Sequence, residues 1–296
     1  MTATQTLALP GFKTLLFGDS GDGKTHAIRT LLKHGITPIV QATEPGMRAL
    51  APCDNPGCVV CKDTRTLPPI PWSYIAPVGG DIAALIKQAD EVSKYDQKYL
   101  CNIVDSQRSK NYNQFSQLLK NFETFTDAAG WSWGAPLSWS TDRCYVLDGL
   151  TQAGSMAMNL FAGRRPLYDK PDYMIAQKML MEFVKMLTCG MRAHVVVIAH
   201  VDIGEDAMGR PKGTVLAPGR KLAPELPALF DDMVLATRDG DKFAWSTSKF
   251  GMQAKGRNLP YKDGMVPDFG TIVESWKRAG GRIEATNHPE VASAKA

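Results

Sequence analysis

Apolar positions along the chain change period several times. Short, mainly apolar runs at residues 13–17, 37–42, 143–147 and 194–199 have the length and composition of buried strands. Between the first two runs, Ala27, Ile28, Leu31 and Leu32 recur at helical spacing over residues 24–34, and Gly35 stands where a helix C-cap glycine belongs. The opening is a strand–loop–helix–strand unit. It predicts an α/β domain with a mainly parallel central sheet.

The regular order breaks after residue 50. Residues 52–71 are rich in Cys, Pro, Gly and Asp and predict an irregular loop. Residues 72–76 read as a strand, 81–93 as a helix and 108–128 as a longer polar helix. Residues 130–140 read as a loop whose three tryptophans pack on a core edge or stack on a ligand, packing being preferred. Residues 173–188 carry a helical stripe of Ile175, Met179, Phe183, Met186 and Leu187, with the methionines read as core. Residues 221–230 suit a short helix interrupted by prolines. Residues 233–237 and 243–247, joined by Arg238-Asp239-Gly240-Asp241, predict a C-terminal β-hairpin. The layout is one domain over residues 1–285, with an insertion at about 50–130, and then a polar tail at 286–296.

Composition narrows the class. With 44% apolar and 22% charged residues in 296, the chain is a folded globular protein rather than a disordered one. The longest clean apolar run, 195–199, is far too short to cross a bilayer, so no membrane partner is expected. The first ten residues have no basic start and no long apolar stretch, so a cytoplasmic location is expected rather than a secreted one. A net charge of +4 permits a nucleic-acid partner without demanding one.

Six cysteines are too few for a disulfide scaffold, and their spacing says more than their number. Cys53-x4-Cys58-x2-Cys61 places three thiols within nine residues. Zn²⁺ takes four soft ligands in a tetrahedron. Cys101 is the expected fourth, because Cys144 falls in a core strand and Cys189 follows a core helix. Such a closed site would be structural and would staple the insertion. Free thiols in a loop are the competing reading.

The clearest chemistry lies at Gly18-Asp19-Ser20-Gly21-Asp22-Gly23-Lys24-Thr25, which matches G-x-x-x-x-G-K-[ST] between a predicted strand and a predicted helix. Small residues let successive backbone N–H groups turn inward around a polyphosphate, and the helix presents its positive end to the same anion. These residues and the adjoining His26 are the expected contacts to ATP. Lys24 supplies a point charge to the phosphates, and the Thr25 hydroxyl is placed to ligate Mg²⁺. A second Mg²⁺ carboxylate is needed at the end of a neighbouring strand. Asp148 and Asp105 compete for it; Asp148 is preferred because it ends the more apolar strand, whereas Asp105 suits a helix cap. Glu44, ending the second strand, is placed to polarise an attacking water, or is a solvated turn residue. His200, ending the strand at 194–199, is placed to sense a γ-phosphate, or merely closes the strand.

In combination, Gly18 to Thr25, Gln41-Ala42-Thr43-Glu44, Tyr145-Val146-Leu147-Asp148, Val197-Ile198-Ala199-His200 and Ala254-Lys255-Gly256-Arg257-Asn258-Leu259-Pro260 make the chain resemble the RecA-like P-loop ATPases, specifically the compact single-domain versions that bacteriophages carry beside recombination and replication genes. The resemblance covers about residues 13–260 and leaves 50–130 unexplained. It implies a RecA-like core and an ATP hydrolase in which Glu44 activates water. It implies that His200, where bacterial recombinases usually carry Gln, couples the γ-phosphate to a DNA loop. It implies that Lys255 and Arg257 reach into the neighbouring subunit's ATP, so the site is completed on self-association into a ring or filament. Two mobile loops on single-stranded DNA would fall at 154–171, with Arg164 and Arg165, and at 201–220, with Arg210, Lys212 and Arg220. Other implied partners are a single-strand-binding protein or further phage replication and recombination proteins, in an infected bacterial cytoplasm. A motor or loader ATPase acting on a protein, and a small-molecule or nucleotide kinase, are the rival classes.

Overall fold

The structure is a computed structural model that describes residues 9–52, 64–77, 82–103, 108–163, 165–205, 208–218, 222–249 and 251–287. Its strands are β1 (Lys13–Gly18), β2 (Thr37–Ala42), β3 (Trp72–Tyr74), β4 (Phe125–Thr126), β5 (Ser132–Gly134), β6 (Arg143–Asp148), β7 (His194–Glu205), β8 (Pro211–Val215), β9 (Asp232–Asp239) and β10 (Lys242–Ser246). Its α-helices are α1 (Lys24–Ala27), α2 (Ile82–Lys94), α3 (Gln97–Cys101), α4 (Arg108–Asn111), α5 (Gln114–Glu123), α6 (Leu150–Ala162), α7 (Lys170–Lys185), α8 (Leu222–Glu225) and α9 (Gly270–Arg278). The central sheet runs β10-β9-β1-β7-β6-β2-β3, parallel except for the β9–β10 hairpin, and β8 pairs antiparallel with the outer part of β7.

The central strands carry apolar residues on both sides because both faces of the sheet are covered. On one face Leu15 and Phe17 of β1 and Val195, Val197 and Ala199 of β7 pack with α5, α6 and α7. On the other, Leu16, Val196 and Ile198 pack with Ile28 and Leu31 after α1 and with Ile272, Val273 and Trp276 of α9. The period of two therefore holds along each strand, but each set meets a helical layer. The helix predicted over 24–34 is one α turn followed by 3₁₀ turns through His34, and Gly35 closes it at φ 75° as expected.

Several expectations need correction. The loop predicted at 154–171 is mostly helix: α6 spans Leu150–Ala162, α7 begins at Lys170, and only the segment between them is a connection. Gly154 does not mark a loop there. It sits where a Cβ would come within 2.5 Å of Pro218, so a close helix–loop approach requires it. The loop predicted at 201–220 is in part a β-hairpin, since β7 continues past His200 to Glu205 and pairs with β8. The helix predicted over 108–128 is broken at Tyr112 and Asn113 into α4 and α5 and gives way to β4. Of the 130–140 tryptophans, Trp139 is buried and Trp133 packs against the core, with the Arg143 guanidinium 5.5 and 5.4 Å from their rings, whereas Trp131 is exposed. In α7 the stripe buries Phe183 and leaves Ile175 exposed; just beyond it Leu187 is buried and Met186 is not.

One core residue gives the fold an acid sensitivity. His194 is fully buried, its Nδ1 accepting from the Phe12 N–H at 3.2 Å and its ring lying 4.2 and 4.6 Å from Phe12 and Trp276. Burial, helped by Lys13, lowers its pKa from 6.5 to about 3. Below pH 6.5 the unfolded chain takes up a proton that the folded chain refuses, so stability falls as pH drops. The contribution of this one group falls by about 2 kcal/mol between pH 6.5 and 5. Asp148 acts in the opposite sense over the same range, because its raised pKa lets the folded chain take up a proton that the unfolded chain does not. The His194 part is therefore read as a difference: in urea unfolding across that range, wild type should lose stability relative to His194→Asn, which keeps an acceptor for Phe12. Parallel pH dependences in the two proteins would assign the acid sensitivity to other groups.

Candidate functional site

The connection leaving β1 runs to the α1 and α9 face, and that leaving β6 runs to the α6 face. Opposed connections open a crevice at the carboxyl ends of the strands. A cavity of about 430 Å³ lies there, lined by Ser20, Gly21, Gly23, Lys24, Thr25, His26, Glu44, Asp148, His200 and Phe243 among others. A second hollow of about 240 Å³ adjoins it past Gly23, His26 and Phe243.

The glycine-rich turn after β1 makes one wall. Gly23 has φ 75°, and a Cβ there would stand 2.9 Å from the Phe243 ring, so glycine is required on both counts. Lys24 opens α1, is almost fully buried, and donates from Nζ to the carbonyls of Gly18 at 3.0 Å and Asp19 at 2.6 Å. Burial lowers its pKa, while the surrounding carboxylates Asp22, Asp148 and Glu44 oppose that shift. Asp22 Oδ2 accepts from the Asp19 N–H at 2.7 Å, so one loop amide is already occupied by a carboxylate.

Thr25 Oγ1 donates to Asp148 Oδ2 at 2.8 Å across 123 residues of sequence. Burial raises the Asp148 pKa to about 6, with the nearby Glu44 charge adding to the rise and the Thr25 hydrogen bond resisting it. At the end of β2, Thr43 Oγ1 donates to the carbonyl of Gly149 at 2.7 Å, which draws the ends of β2 and β6 together and aims the next residue, Glu44, at the cavity. Glu44 Oε2 lies 2.9 Å from His200 Nε2, and Glu44 Oε1 is buried without a hydrogen-bond partner. The backbone of His200 is tied in turn to the hairpin: its carbonyl accepts from the Leu216 N–H at 2.8 Å, and its N–H donates to Thr151 Oγ1 at 3.2 Å.

The structure thus brings Lys24, Thr25, Asp148, Glu44 and His200 around one cavity. A hydroxyl and a carboxylate 2.8 Å apart form a hard-oxygen pair of the kind Mg²⁺ takes, so these residues fit that ion. Asp105 lies outside the described residues. Phe243 lines the cavity although nothing local in the sequence marks it. It arrives there because β10 is laid beside β9 at the edge of the sheet next to β1.

The remaining candidates lie elsewhere. Lys255 pairs with Met233 through the backbone and donates from Nζ to the carbonyls of Pro227 at 2.9 Å and Phe230 at 2.8 Å. The Arg257 N–H donates to Asp232 Oδ1 and its Nη1 to Asp231 Oδ1, both at 2.7 Å, while the side chain is 68% exposed. Asp232 pairs with Thr14, near the start of β1, so this loop sits at the opposite end of the sheet from Gly18, roughly 13 Å along the strand. Neither residue serves its own chain's cavity. Arg165 is held inside, paired with Asp172 and donating to the carbonyl of Cys101 at 3.0 Å. Arg210 is exposed just before β8, and Lys212 is exposed on it. Arg164 and Arg220 lie outside the described residues, as do Cys53, Cys58 and Cys61. Cys101 ends α3 partly exposed, and no cluster of metal-binding side chains occurs among the described residues. Among the described residues, no helix is long and apolar enough to cross a membrane.

Comparison with protein-family models gives no match, and comparison with curated proteins gives none.

Proposed function

We propose that the chain is a RecA-like ATPase that binds MgATP in the 430 Å³ cavity and acts, as an assembly of copies, on single-stranded DNA. The observation that supports it most is the convergence of Lys24, Thr25, Asp148, Glu44 and His200 from four strand ends, with both cross-strand contacts made: Thr25 to Asp148 at 2.8 Å and Glu44 to His200 at 2.9 Å. In this reading the loop amides and Lys24 hold the phosphates, Lys24 exchanging the carbonyls of Gly18 and Asp19 for phosphate oxygens. Thr25 and Asp148 would hold Mg²⁺, which would supply positive charge beside the phosphates. Glu44 orients the attacking water and takes its proton. His200 holds Glu44 in place and links it to the hairpin that carries Arg210 and Lys212. The hollow beside Gly23, with the Phe243 ring at its edge, has room for the rest of the nucleotide.

Exposure of Arg257 at the far end of the sheet suits action on a neighbouring copy, whereas Lys255 would first have to release the carbonyls of Pro227 and Phe230; the phage-type recombination or replication setting follows from the resemblance alone. Zinc on Cys53, Cys58, Cys61 and Cys101 belongs to the same proposal.

ATP hydrolysis measured with and without single-stranded DNA, read alongside particle size, tests the reading. DNA-stimulated hydrolysis by an assembled particle is the expected result. Hydrolysis by an assembly indifferent to DNA would point to a loader acting on a protein. Phosphate transfer to a small acceptor by a single chain would make it a kinase.

A further inference from the structure

The peptide unit that joins Gly18 to Asp19 is gripped at both ends. Its carbonyl oxygen accepts from Lys24 Nζ at 3.0 Å, and its N–H donates to Asp22 Oδ2 at 2.7 Å. The bond is trans, so these two atoms point to opposite sides, and a cation and an anion hold one plane between them. Lys24 also takes the next carbonyl, that of Asp19, at 2.6 Å. Asp22 approaches the same place a second time: a Cβ on Gly18 would stand 2.9 Å from its Oδ2. Asp22 is absent from the described lining of the 430 Å³ cavity and instead lines a separate hollow of about 180 Å³ with Asp19, Arg238 and Lys249. A carboxylate has the wrong charge for a loop that receives phosphates, so its place there calls for another role.

We propose that Asp22 is a positioning residue that keeps the Gly18–Asp19 peptide in place once Lys24 leaves it for a nucleotide, a role that rests on the MgATP reading of the adjoining cavity. In the empty loop the peptide has two holders. Nucleotide binding moves Lys24 from the carbonyls of Gly18 and Asp19 to phosphate oxygens. One holder is then lost at the moment when the loop must keep its shape. The Asp22 contact is spared by that exchange, because it lies on the N–H side of the peptide. A hydrogen bond to an ionised acceptor is the stronger kind, which suits a contact left to act alone. The backbone closes the same turn only weakly: the Asp22 N–H reaches the Asp19 carbonyl at 3.3 Å. The side chain therefore carries the closure.

Binding of a fluorescent ATP analogue with Mg²⁺ to the full chain, beside melting curves and steady-state turnover, is the test. Asp22→Ala should raise the dissociation constant about tenfold or more, as loss of a hydrogen bond to an ionised group does. In turnover the loss should fall on KM rather than on kcat, because Asp22 holds the loop and meets neither phosphate nor water. The melting temperature without nucleotide should match that of the wild type, since Lys24 still holds the peptide there. Asp22→Asn keeps an acceptor for the Asp19 N–H and should bind within about threefold of wild type. Wild-type binding that Asp22→Ala leaves unchanged would overturn this role alone and leave the phosphate site standing. Asp22→Asn as weak as Asp22→Ala would overturn it too, and so would a lower melting temperature of Asp22→Ala without nucleotide, which would make the residue part of the fold. A wild type that binds no MgATP would overturn both this role and the ATPase reading.

Discussion

Replacing Lys24 with alanine is expected to abolish ATP turnover, lowering it by about 10³-fold or more, and to weaken nucleotide binding as well. The ammonium is nearly buried and held by two carbonyls of its own loop, at 3.0 and 2.6 Å. A cation that burial already disfavours gains most when those carbonyls give way to phosphate oxygens, which carry a full negative charge. Alanine leaves the cavity but removes the only lysine among its described lining residues. The fold should survive, because the helical turns that follow pack into the core through Ile28 and Leu31 against Ile272, Val273 and Trp276 of α9, contacts this substitution leaves in place. Phosphate release and binding of a fluorescent ATP analogue, measured beside a melting curve, check it. Turnover within about threefold of wild type in a folded variant would remove the phosphate site from the account.

Glu44→Gln is expected to give the second large effect, of a different kind. Turnover should fall by about 10² to 10⁴. The affinity for ATP should stay near that of the wild type, because the residue acts on water and not on the nucleotide. The amide remains able to hydrogen-bond His200, now at 2.9 Å from Glu44 Oε2, so the hairpin beyond His200 should keep its position. The lost quantity is the basic oxygen, Oε1, which is buried without a partner. Steady-state rates together with a direct binding measurement separate the two contributions: kcat should carry the loss. A variant that loses binding instead would make Glu44 a nucleotide ligand, and one with undiminished kcat would return it to a turn residue.

Some of this site is legible locally and some is not. The glycine run between β1 and α1 announces itself because every constraint on it lies within a few residues: a strand end, small residues, a lysine and a helix start. Asp148 could be preferred over Asp105 because it ends the more apolar of the two candidate strands. The helix α6 was hidden for the opposite reason. Gly154 looks like a loop residue in isolation, and only the approach of Pro218 explains a glycine inside a helix. Likewise, the run after His200 looks like a loop because it is polar and rich in glycine, yet β7 continues through it once β8 supplies a partner strand. Arg165 reads as a DNA-facing cation by its position, but Asp172 claims it.

By itself the sequence determined the alternation of strands and helices, the parallel character of the sheet and the glycine-rich turn between β1 and α1, since period, glycine and chain length are local properties. Tertiary structure alone decided which chemistry those elements share. Thr25 meets Asp148 over 123 residues and His200 meets Glu44 over 156, and each meeting depends on the order β1-β7-β6-β2. That order is set by how two helical layers pack on the sheet, a sum over many distant contacts that no short stretch of residues encodes.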